Sequence, residues 1–118
     1  MRATLADQTC VPCKGGVPPL TAAEFAPLLA QLDGWEVVND KKLVRTYRVK
    51  NFADAMALAN RVAAIAEEQQ HHPDLQVAWG RLGVEVWTHK IDGLTESDFV
   101  FAAKCDRAYR ADRAAAGG

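Results

Sequence analysis

The chain has 118 residues, 49% of them hydrophobic and 25% charged, with 14 basic side chains against 15 acidic ones. A chain of this length makes one domain that buries roughly two-thirds of its unfolded surface, so it needs no disulfides to stand. A net charge of −1, with bases interspersed among acids, leaves no electrostatic footprint for nucleic acid or an anionic membrane. No stretch approaches the ~20 apolar residues of a membrane span. Residues 1–5 lack the apolar run of a secretory signal. Three cysteines are an odd number, which argues against a disulfide framework and for a cytoplasmic setting.

Residues 1–20 carry no periodicity and hold Cys10, Pro12, Cys13, Gly15, Gly16, Pro18 and Pro19, which reads as an extended arm. Thr21 followed by Glu24 is a capping-box signature, and Phe25, Leu28, Leu29 and Leu32 then keep helical spacing until Asp33-Gly34. Two strands follow, 35–38 and 43–49, joined by Asn39-Asp40-Lys41-Lys42 as a turn. A longer helix is expected over 52–70, with Phe52, Ala55, Met56, Ala59, Val62, Ala63 and Ala66 as its buried stripe. Pro73 cannot continue it. Strands over 75–79 and 84–89 come next, around the turn Gly80-Arg81-Leu82-Gly83. Thr95 with Asp98 opens a last helix through about Arg110.

Helix, two strands, helix, two strands, helix is an α+β order. Hairpins pair antiparallel, so the expected architecture is two-layered, a four-stranded antiparallel sheet with helices on one face. The domain is expected over 21–113, with 114–118 as a flexible tail.

Every histidine falls between positions 71 and 89, in the order Glu67, His71-His72-Pro73, Trp79, His89, Asp98. Imidazole is the side chain that titrates near neutral pH, so gathering it in one place points to acid–base chemistry. Glu67 continues the expected buried stripe to the end of its helix, where a carboxylate needs a partner; His71 is the natural one. In the last strand, alternation sets Val84, Val86 and Thr88 on one face and Glu85, Trp87 and His89 on the other. Asp98 follows His89 closely. Plainer roles compete: Asp98 as a helix cap, Trp79 as a core aromatic and Pro73 as a helix stop.

A metal module is a weaker reading, because adjacent histidines diverge and the two-His i, i+4 spacing of zinc hydrolases is absent. Cys10-x2-Cys13 supplies two thiols where a structural zinc needs four ligands, and no strand precedes it as a redox motif requires. Gly80-x2-Gly83 is too short to cradle phosphates.

The pattern Glu67, His71-His72-Pro73, Trp79, His89, Asp98 resembles the pterin-4a-carbinolamine dehydratases, and the resemblance covers about residues 20–110. It implies dehydration of 4a-hydroxytetrahydropterin to quinonoid dihydropterin, a hydro-lyase reaction needing neither metal nor other cofactor. It further implies His71 and His89 as the acid–base pair and His72 as an orienting contact, with Glu67 supporting His71, Asp98 supporting His89, and Thr88 near the pterin. By the same resemblance the chain is a homodimer or homotetramer, linked to an aromatic amino acid hydroxylase whose pterin it restores. Mammalian members carry acidic residues where this chain has Gln70 and Lys90, while the cysteine-bearing arm is similar to bacterial and plant-type members. The alternative is a non-catalytic relative acting as a protein assembly factor, which would be expected to lose the histidines this chain keeps.

Overall fold

The computed structural model describes residues 4–10 and 17–115. Its elements are α1 (Ala22–Leu29), β1 (Glu36–Val38), β2 (Lys42–Arg48), α2 (Phe52–Gln69), β3 (Asp74–Ala78), β4 (Arg81–Val86) and α3 (Glu96–Ala115), with short 3-10 turns at Leu5–Asp7 and His89–Ile91. The strands form one antiparallel sheet in the order β1-β2-β4-β3. The α+β order and the two-layer sheet are as the patterning predicts. Helix α3 runs to Ala115, past the expected stop at Arg110, and residues 116–118 of the expected tail lie outside the described residues.

Strand alternation builds the core. Leu43 and Tyr47 of β2 and Leu82, Val84 and Val86 of β4 are fully buried, while Thr46 and Arg81, between or beside them, are exposed. Against that face pack α2 through Ala55, Leu58, Ala59, Val62 and Ala66, and α3 through Phe99, Val100, Phe101, Ala102 and Cys105. The α1 capping box forms as the sequence predicts, Thr21 and Glu24 each accepting from the other's backbone N–H. Between β1 and β2, Asn39 and Asp40 both take the left-handed conformation (φ 54° and 57°), which their short polar side chains tolerate.

Three expectations about burial are corrected. The α2 stripe follows the 55-58-59-62-66 row, so Met56 and Ala63, one position off it, are exposed, as is Phe52 at the first position of the helix. Trp79 is 74% exposed, because it sits with Gly80 (φ 76°) on the tight β3–β4 turn, away from the core. Residues 4–10 are not an extended arm: the Leu5–Asp7 turn docks on α3, with Leu5 and Cys10 buried. Lys104 Nζ donates to the Ala6 carbonyl (2.8 Å) and Arg107 pairs with Asp7 (2.9 Å). Cys13 lies outside the described residues.

A second polar cluster closes the far edge. Asp106 on α3, 2% exposed, accepts from Trp35 Nε1 (2.9 Å), Tyr47 Oη (2.7 Å) and the Asp33 backbone N–H (3.3 Å), and pairs with the Arg45 guanidinium. Burial pushes the Tyr47 phenol far above its usual range, so it remains a donor to that carboxylate.

Candidate active site

Helix α2 ends where Gln70 adopts the left-handed conformation (φ 52°, ψ 44°), a common way to stop a helix. Its own side chain caps the end, Gln70 Nε2 donating to the Glu67 carbonyl at 2.7 Å. The reversal turns the two histidines apart. His71 swings inward and hydrogen-bonds through Nε2 to Asp98 Oδ1 at 2.6 Å. His72 swings outward and meets Glu67 Oε2 at 2.6 Å through its own Nε2.

These partnerships correct the sequence reading on two points. Glu67 is not on the buried face and does not support His71: its side chain is 75% exposed and pairs with His72. The core-facing position at the end of α2 belongs to Gln69, whose Oε1 accepts from the Cys10 backbone N–H at 2.9 Å. Asp98 supports His71 rather than His89. The left-handed Gln70 is what separates Glu67 from His71: it ends α2 before His71 can follow Glu67 along the same helix face.

Asp98 is fully buried and accepts on both oxygens. Besides His71, its Oδ2 accepts from Thr88 Oγ1 and from the Thr95 backbone N–H, both at 2.8 Å. The last contact is half of a capping box at the α3 start, so Asp98 is a helix cap and a histidine partner at once. As an ionised carboxylate only accepts, it holds His71 as the Nε2–H tautomer and leaves Nδ1 as the basic nitrogen.

His89 is not the end of a strand, as expected. The β2–β4 ladder stops at Leu43↔Val86, and the chain closes a small loop in which Thr88 N donates to Gly93 O (2.8 Å). His89 opens the 3-10 turn within that loop. The predicted facing does hold: Val84, Val86 and Thr88 are buried, and His89 points outward. Its ring stacks on Trp87, centroids 4.2 Å apart and planes within 8°.

The helix-end histidines and the loop histidine meet. Gln70, His71, His72, Trp87, Thr88, His89 and Lys90 line one open cleft of about 350 Å³, within the usual range of small-molecule sites. Of the residues singled out in the sequence, His71, His72, His89 and Thr88 line it. Asp98 and Glu67 stand behind His71 and His72. Pro73 lies between the helix end and β3 and is not a lining residue. Trp87 was legible only as an outward-facing strand residue, and nothing marked Gln69. Among the described residues, no group of three or more His, Cys, Asp or Glu side chains is placed to hold a metal ion.

Residues 18–108 match the family model described as Pterin 4 alpha carbinolamine dehydratase. The chain belongs to that family. A relative from Rubrobacter xylanophilus is 60% identical over 103 residues, covering 87% of this chain and 96% of its own length. One from Rickettsia bellii is 50% identical over 104 residues, covering 87% and 92%. Both bear the provisional name pterin-4-alpha-carbinolamine dehydratase. Among solved structures, a transcriptional coactivator/pterin dehydratase from Brucella melitensis superposes with TM-score 0.73 at 33% identity, over 77% of this chain and 98% of its own. A pterin dehydratase-like RuBisCO assembly factor of the α-carboxysome superposes with TM-score 0.56 at 19% identity, over 64% of this chain and 89% of its own, and shares the fold.

Proposed function

We propose that this protein dehydrates 4a-hydroxytetrahydropterin to quinonoid dihydropterin and water, by acid–base catalysis from His71 and His89. The observation that carries the reading is the meeting of His71, His72 and His89 on one cleft in a chain of the pterin dehydratase family.

The reaction breaks the C4a–O bond and forms a C4a=N5 double bond. The leaving oxygen needs a proton to depart as water, and N5 must surrender its own. His71, held at Nε2 by Asp98, offers Nδ1 to receive the N5 proton, while the carboxylate behind it compensates the charge formed on the ring. His89, exposed and lining the same cleft, delivers a proton to the 4a-hydroxyl. His72, steadied by Glu67, orients the bicyclic ring, and Thr88 lines the same cleft. Positioned proton transfer of this sort contributes about 10²–10⁴-fold, and no metal or other cofactor enters the scheme. The same reading makes the chain a cytoplasmic homodimer or homotetramer serving an aromatic amino acid hydroxylase.

The test is stopped-flow ultraviolet absorbance on freshly generated 4a-carbinolamine. Catalytic amounts of protein should hasten appearance of the quinonoid product well beyond the spontaneous rate. Folded protein that leaves the spontaneous rate unchanged would overturn the assignment.

A further inference from the structure

Of the three imidazoles on the cleft, two are oriented by carboxylates, His71 by Asp98 and His72 by Glu67. His89 is built differently. Among the described residues its ring has no hydrogen-bond or ion-pair partner, and it leaves the sheet on a short exposed turn. What fixes its plane is the indole two residues earlier, stacked at 4.2 Å and 8°. Residues 87 and 89 lie just past the end of β4 and present their rings to the same side.

The indole is itself held from the next strand. Lys42 Nζ lies over it, 5.0 Å from the ring centroid, and is tethered to Glu85 Oε1 at 3.2 Å. Lys42 precedes Leu43, whose ladder partner is Val86, so the sheet register brings this ammonium to the indole. The arrangement runs from the rigid sheet through Lys42 and Trp87 to a side chain that otherwise has a loop's freedom. An indole face also accommodates imidazole in both protonation states, by stacking when neutral and by cation–π attraction when charged.

We propose that Trp87 is the positioning residue for His89: it sets the imidazole plane at the cleft mouth and thereby supports the proton delivery assigned above. The inference rests on the proposed dehydratase reading for its kinetic consequence, but not for its structural one. Catalysis is sensitive to small misplacements of a reacting group. Freeing the ring should therefore lower kcat and leave KM nearly unchanged, since the substrate contacts of His71 and His72 persist.

The experiment compares Trp87→Leu with Trp87→Phe, using proton NMR of the His89 ring (assigned with His89→Ala) beside steady-state kinetics. In the parent protein the stacked imidazole protons should be shifted upfield by the indole ring current. Trp87→Leu should abolish that shift and lower kcat on the order of tenfold or more, with KM within about twofold. Trp87→Phe, which keeps an aromatic face, should restore both in part. Ordinary His89 shifts in the parent protein would overturn the proposal, as would a Leu variant with unchanged kcat, or a Phe variant that regains the shift without regaining turnover. A parent protein that shows the upfield shift but no dehydratase activity would refute the proposed reaction and leave the stack standing.

Discussion

Replacing Asp98 by Asn separates its two duties. The amide matches the carboxylate in shape, but only its carbonyl oxygen accepts hydrogen bonds. Three donors converge on Asp98, from His71, Thr88 and Thr95 at 2.6–2.8 Å. The Asn oxygen can keep the Thr95 cap and the Thr88 hydroxyl, and its NH2 then faces His71 Nε2. That contact is satisfied only if the imidazole takes the opposite tautomer, with its proton on Nδ1, which removes the base from the cleft. The expected fall in kcat is about 10²–10⁴-fold. Loss of one charge-assisted hydrogen bond costs about 1.5–3 kcal/mol. With an unfolding entropy of about 0.25 kcal/mol/K for a chain this long, Tm should drop by roughly 6–12 °C. Stopped-flow dehydration well below that Tm, beside a calorimetric scan, reads both effects. Turnover within threefold of the parent would refute the tautomer argument, however large the thermal shift.

Other outcomes follow from the same geometry. Glu67→Gln breaks a pair whose side chains are 57% and 75% exposed, so Tm should stay within ~4 °C, and its kinetic effect should fall on KM through His72. A Cβ on Gly93 would sit 2.5 Å from Pro19 Cβ, so Gly93→Ala should displace the His89 loop and lower kcat, visible as shifted His89 resonances. Asp106→Ala strands the Arg45 guanidinium, 15% exposed, and should cost about 3–5 kcal/mol in denaturant melts. Burial raises the Cys10 thiol to about 11 and pushes Cys105 higher still. The unfolded chain therefore loses these protons first, and stability should fall as pH climbs from about 9 to 11. In a Cys13→Ser background, Cys10→Ala should flatten part of that alkaline loss.

Periodic features of the sequence carried most of the fold. The Thr21–Glu24 cap, the Asn39-Asp40 turn and the alternation of Val84, Val86 and Thr88 each depend on neighbours a few residues away, and each formed. Leu5 and Cys10 show what such patterns miss: two apolar residues in a stretch without periodicity reach the core by docking on α3, a long-range event with no local signature. The histidine cluster was legible as a set, but its wiring was not. With Gln70 left-handed, Glu67 pairs with His72 instead of His71, and Asp98 with His71 instead of His89. Gln in that conformation is uncommon, and nothing in its chemical type announces it. Trp79 erred in the opposite direction, since its size suggested the core while its place on a two-residue turn kept it outside.

The central claim is that a bicyclic pterin sits between the α2 end and the His89 loop. Titrating isotope-labelled protein with a stable reduced pterin, followed by NMR, tests it without any turnover. Saturable shifts should concentrate at Gln70, His71, His72 and residues 87–90, leaving the Asp106 edge still. Shifts gathered elsewhere, or none at millimolar pterin, would contradict the account.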